Sequence, residues 1–180
     1  MSGSYRRKPK RKLNRKQQRK QAEQKFNNEQ KEINELERRI HAEAPPVGTN
    51  PLNTETPDQK SFQINGKGPV LSGARKFADI AISSRMKQGL LKGGFTHMTA
   101  VQRGAIPHAL AGRDVLGAAR TGSGKTLAFL IPLIECLYRY GWSSIHGLGA
   151  LIIAPTRELA MQIFDVLKII GSHFEFSVKK

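Results

Sequence analysis

Cysteine is nearly absent: the 180 residues include one, Cys136. It has no partner for an internal disulfide, and its place inside the apolar stretch 130–138 points to a packed thiol rather than a nucleophile. Long hydrophobic runs are missing as well. No stretch approaches the ~20 apolar residues of a membrane span, and no apolar run of about seven or more follows the basic amino terminus, as a secretory signal requires. These absences exclude a disulfide scaffold and a spanning helix, and they predict a soluble intracellular protein with no membrane partner. Acid is absent from the first twenty residues, which carry ten Lys or Arg and hold most of the net charge of +16. Aliphatic residues scarcely occur before Ile33. Such a segment cannot bury enough apolar surface to offset its chain entropy, so residues 1–43 read as a basic, glutamine-rich tail, disordered or helical. Its charge suits the phosphates of a nucleic acid; a nuclear address or a solubilising tail explains it equally well.

What is present divides the chain in three. Phe26, Ile33, Leu36 and Ile40 keep a heptad frame that Glu29 interrupts, which predicts a short amphipathic helix rather than a coiled coil. Residues 44–70 collect Pro45, Pro46, Pro51, Pro57 and Pro69 among Gly, Asn and Thr, the composition of a linker. Residues 71–180 carry the ordered pattern. Ser83 or Ser84 caps a short helix that Gly93 and Gly94 end, and Thr99 opens another that Pro107 breaks. Val115–Ala118 reads as a buried strand, 126–140 as a helix and 148–154 as a second strand. Thr156 then caps a helix whose Leu159, Ile163, Val166, Leu167 and Ile170 share one face. A third strand is expected at 174–178. This is a βαβ unit with a right-handed crossover. Two strands and part of a third leave sheet edges that nothing in the chain covers, so the pattern reads as a truncated α/β domain.

Residues 119–126, Ala119-Arg120-Thr121-Gly122-Ser123-Gly124-Lys125-Thr126, lie between the first strand and the helix after it. A strand, a glycine-rich turn and a helix start make a phosphate-binding loop: freed backbone N–H groups and the positive helix end wrap a di- or triphosphate. Gly122 and Gly124 permit close approach, Lys125 adds a mobile cation, and the Thr126 hydroxyl suits Mg²⁺. Upstream, Gln102 stands three residues after Thr99. That is a capping box, and it is also an amide able to pair with N6 and N7 of adenine. Phe77 reads as core or as a stacking platform. Pro155-Thr156-Arg157-Glu158 opens a helix at the carboxyl end of a strand, where helix N–H groups and Arg157 could hold phosphates.

Together these segments resemble one family, the DEAD-box ATP-dependent RNA helicases. The family's adenine-recognition element is an aromatic, a gap of about seventeen residues, then Gly-Phe-x-x-Pro-Thr-x-x-Gln. Phe77, Gly94, Phe95, Thr99 and Gln102 match it over 77–102, with Met98 where proline is usual. Ala119 fits the family's version of the phosphate loop, and 155–160 matches its RNA-backbone motif. The resemblance implies a partial RecA-like P-loop domain, a parallel sheet flanked by helices. It implies ATP and Mg²⁺ as cofactors. Phe77 would stack on adenine and Gln102 would read it. Arg120, Thr121, Gly122, Ser123, Gly124 and Lys125 would hold phosphates, with Lys125 and Thr126 catalytic and Thr126 on Mg²⁺. Pro155, Thr156, Arg157 and Glu158 would hold RNA. The tail and the 140–149 loop look most like nucleolar members acting on pre-ribosomal RNA, which implies a nuclear, nucleolar location. No Asp-Glu-Ala-Asp box, no Ser-Ala-Thr and no second RecA-like domain occur in the chain, so its residues alone are expected not to hydrolyse ATP. A non-catalytic RNA- or partner-binding short product is the alternative; a small P-loop kinase is disfavoured by the adenine-reading glutamine.

Overall fold

The computed structural model describes residues 14–49 and 74–175, and every structural statement below concerns these. Five α-helices form: α1 (Arg15–Glu43), α2 (Ser84–Lys92), α3 (Ala100–Leu110), α4 (Lys125–Arg139) and α5 (Arg157–Ile170). None is long and apolar enough to cross a membrane. Their starts follow the capping chemistry of the sequence. Ser83 accepts from the Met86 N–H at the head of α2, and Thr156 accepts from the Leu159 N–H at the head of α5. Asn14 and Gln17 exchange side-chain and backbone bonds at the head of α1.

The core gathers Ile80, Ile82, Met86, Leu90, Ile106, Leu130, Ile131, Ile134 and Ile170, all nearly without exposed surface. Two helix pairs carry it, α3 against α4 and α2 against α5. The second pair is so close that a Cβ on Gly89 would collide with the backbone of Ile170. Glu135 of α4 is buried in the same core, where it accepts from the Ser83 N–H (3.1 Å) and the Ser83 hydroxyl (2.6 Å). Burial pushes its carboxyl up to about 7, against the opposing pull of the two Ser83 bonds.

Three expectations need correction. The first is the parallel sheet. Residues 113–120 and 147–154, which include both expected strands, carry no ladder; the one bridge among the described residues is antiparallel, Lys76 with His97. A strand cannot satisfy its own backbone as a helix does, so without neighbours on either side these segments remain unpaired. Leu116, Leu148, Leu151 and Ile153 are accordingly exposed. The third expected strand begins at Phe174, which lies in a turn, and residues 176–178 fall outside the described part. The second correction is Pro107, which does not break α3. It deprives only the Arg103 carbonyl of its partner, near the helix end, and α3 runs on to Leu110. The third is α1, which is long rather than short. It contributes Ile33, Leu36 and Ile40 to the common core.

Glu29, which interrupts the heptad frame, is what fixes α1 in place there: it pairs with Arg85. One turn later Glu32 accepts from the Ser84 N–H (2.7 Å) and the Tyr138 hydroxyl (3.0 Å). Burial opposes its ionisation, but these bonds and the nearby Arg85 outweigh it and hold the carboxyl below its usual range. The chain after α1 is tied down as well, Arg113 donating to the Pro45 carbonyl (2.5 Å) and the His108 ring lying 2.7 Å from the Thr49 carbonyl. Of the linker expected at 44–70, residues 50–70 lie outside the described residues.

Candidate nucleotide site

Glycine shapes the loop that precedes α4. Gly122 and Gly124 have φ of 76° and 88°, a region that costs other residues strain. Gly124 is the N-cap of α4 and brings no side chain to cap it, so no N-cap side chain satisfies the first helical N–H groups. Ser123 turns back on itself, its N–H reaching the Arg120 carbonyl at 3.3 Å, while its hydroxyl is buried without a hydrogen-bond partner. Lys125 folds over the loop and donates to the carbonyls of Ala119 (2.5 Å) and Arg120 (2.7 Å). Thr121 and Gly122 are exposed, and Thr126 is half-buried in the first turn of α4.

Gln102 ties a second element to this loop. Its amide oxygen accepts from the Thr99 N–H at 2.8 Å, and its amide nitrogen donates to the Gly124 carbonyl at 2.9 Å. The side chain is 2% exposed, and a Cβ on Gly124 would come within 2.5 Å of its nitrogen. A primary amide has two donors and two acceptor lone pairs. One of each is spent here; one of each remains.

The 77–102 element is closed by its own backbone. The Phe77 N–H donates to the Thr96 carbonyl (3.1 Å) and the Met98 N–H to the Arg75 carbonyl (2.8 Å). Phe77 itself is 3% exposed and lies in the core cluster, so in this structure its ring packs and presents no free face. Pro155, Thr156, Arg157 and Glu158 are exposed at the head of α5. Among the described residues no hydrogen bond joins them to the phosphate loop. The structure thus ties Gln102 to the loop by a hydrogen bond, while among the described residues Phe77 and the 155–158 turn make no such bond to it. The bond from Gln102 to Gly124 spans 22 positions, and no local pattern announces it; the glycine and the glutamine each read separately.

The features of this loop fit a polyphosphate. An orphaned buried hydroxyl, uncapped helix N–H groups and a cation spending its donors on loop carbonyls are each better satisfied by anionic oxygens. For a metal, the described residues hold no cluster of three or more His, Cys, Asp or Glu, and the Thr126 hydroxyl in the first turn of α4 is an oxygen of the kind that suits Mg²⁺.

Residues 99–180 match the DEAD/DEAH box helicase family. The chain is 51% identical over 158 residues to "DEAD-box ATP-dependent RNA helicase 32" of Arabidopsis thaliana, covering 83% of this chain and 21% of that protein. It is 58% identical over 115 residues to "ATP-dependent RNA helicase DBP4" of Kluyveromyces lactis, covering 64% and 15%. Against "Probable ATP-dependent RNA helicase ddx10" of Dictyostelium discoideum it is 41% identical over 157 residues, covering 81% and 18%. The chain therefore spans about a fifth or less of these relatives' length. Among solved structures, the RNA helicase Prp28 from Chaetomium thermophilum bound to ADP matches with 41% identity and a TM-score of 0.49, over 54% of this chain and 24% of that one.

Proposed function

Since the chain belongs, over residues 99–180, to the DEAD/DEAH box helicase family, we propose that it forms the ATP-binding part of an ATP-dependent RNA helicase acting on pre-ribosomal RNA in the nucleolus. The observation that carries this is the bond between Gln102 and Gly124, which sets an adenine-reading amide one hydrogen bond from a phosphate loop. Its unspent donor and lone pair match N7 and the N6 amino group of adenine. Lys125 would exchange the Ala119 and Arg120 carbonyls for β- and γ-phosphate oxygens, joined by the Ser123 hydroxyl and the α4 N–H groups. Thr126 would ligate Mg²⁺. Pro155, Thr156, Arg157 and Glu158 would take RNA backbone, Thr156 already ordering that turn as the cap of α5. Phosphoryl transfer depends on positioning and charge neutralisation, and an arginine finger alone is worth ~10³–10⁵ in rate. The residues of this chain would bind and orient, and no Asp-Glu-Ala-Asp carboxylates occur among them.

The test is displacement of a fluorescent ATP analogue from the chain. Guanine would leave the Gln102 amide mismatched, and a buried unsatisfied polar group costs about 1–3 kcal/mol, so ATP should compete roughly 5- to 150-fold better than GTP. Gln102→Ala should erase that preference, and Lys125→Ala should weaken both nucleotides together. Equal competition by ATP and GTP in the unsubstituted chain would remove Gln102 from this role.

A further inference from the structure

Most of the charges of α1 are sorted by face, Arg15 and Lys25 being cations on the core side, where Lys25 pairs with Glu175. At 100° per residue, Ile33, Leu36 and Ile40 define the side that enters the core. Glu29, Glu32 and Glu43 lie along that side and are occupied, with Arg85, with Ser84 and Tyr138, and with Arg39. The opposite side carries Lys16, Lys20, Asn27, Lys31 and Arg38, and its one acid, Glu35, is bound to Arg38 (2.7 Å). Glu23 and Glu37 sit on one flank between the two sides. Docking by the acidic and apolar side therefore turns a lysine row outward, and Lys16 to Lys31 spans about 22 Å at 1.5 Å per residue.

The position of this row matters as much as its charge. Glu32 meets Tyr138, thirteen residues beyond Lys125, so α1 crosses α4 about 20 Å along its axis from the phosphate loop. Any ligand on the outward face would be held at the far pole from the nucleotide.

We infer that the outward face of α1 is a binding surface for the phosphodiester backbone of RNA, a tether that acts without nucleotide. This rests on the RNA-binding reading above and adds where, and by which lysines, a second contact is made. A row of cations on a helix anchored by its other side can follow a strand of phosphates without base contacts, and releases counterions as it does.

Binding of a labelled twenty-nucleotide oligouridylate to the full chain, titrated from 50 to 200 mM salt, tests this. Each cation contributes about 0.7 to the salt slope of log affinity for a single strand. The triple variant Lys16→Gln, Lys20→Gln, Lys31→Gln should therefore lower the slope by about 2, with its thermal melt unchanged. A control that neutralises Lys87, Lys92 and Lys168 has the same net charge and should leave most of the slope. Equal changes in both variants, or no change in the first, overturn the tether. If the triple variant loses poly-glutamate and keeps RNA, the face belongs to an acidic protein and the proposal falls. Lys125→Ala keeps the two readings apart: it should weaken nucleotide binding and leave this slope where it was, so failure of either is visible alone.

Discussion

The helices and the extended segments of this chain make similar use of apolar residues and meet opposite fates. In α4, Leu130, Ile131 and Ile134 are buried. In 147–154, Leu148, Leu151 and Ile153 are exposed, and Leu116 before the phosphate loop is fully so. The difference lies in the backbone. A helix closes its hydrogen bonds within itself and needs a neighbour for one stripe of side chains only. A strand of a parallel sheet needs neighbours along both edges and over both faces. The helices find packing partners among the described residues; the extended segments find no strand partner there.

The largest expected effect breaks this contrast from the exposed side. Leu116 and Ile153 offer apolar surface on unpaired backbone, a combination that invites edge-to-edge association. The chain made alone should self-associate at micromolar concentration. The double variant Leu116→Lys, Ile153→Lys should convert it to monomer by light scattering while leaving the helical melt within about 0.5 kcal/mol. A monomeric parent chain would show that these segments find cover.

On the buried side, Glu135 makes stability depend on pH. Its carboxyl titrates near 7 in the folded chain and near 4.5 unfolded, so between these values the folded state holds the extra proton. Stability from this group is then full below about pH 4.5 and falls as pH rises, by about 3 kcal/mol in all at 1.36 kcal/mol per unit. Glu32 works in another window with the opposite sign, its depressed pKa lending stability above about 4.5 that is lost on acidification. Urea melts from pH 4.5 to 8 should show the decline, and Glu135→Gln should flatten it. A slope that survives the substitution would place its source elsewhere.

A smaller effect sharpens the helical side. Gly89→Ala places a methyl against the Ile170 backbone, and overpacking of this kind costs about 1–3 kcal/mol. The melting temperature should drop by several degrees, and Gly117→Ala, which meets nothing within 4 Å, serves as the open-space comparison.

Much of this was legible from local chemistry. Ser83, Thr99 and Thr156 announce their helices because an N-cap acts within three residues, and Gly122 and Gly124 announce a phosphate loop because only glycine suits that turn. What was not legible depends on partners distant in the chain. Glu29 reads as a break in a heptad until Arg85, 56 positions away, is seen beside it. Gln102 reads as a cap, and its second bond to Gly124 requires the fold. The expected strands share the reason: their hydrophobic pattern is local, but pairing is not.

The uneven support of α1 has a kinetic consequence. From residue 14 to 28 every side chain is exposed, Phe26 at 60%, and Lys25 makes a surface pair with Glu175 at 3.1 Å; from Glu29 onward the helix is anchored in the core. A free helical stretch of this length is marginal, and it persists because the anchored half supplies its nucleus. Amide hydrogens along α1 should therefore exchange in a gradient, within seconds near Lys16 and at the rate of global unfolding near Leu36. A protease with a taste for lysine would trim the helix from its basic end and stop at Glu29.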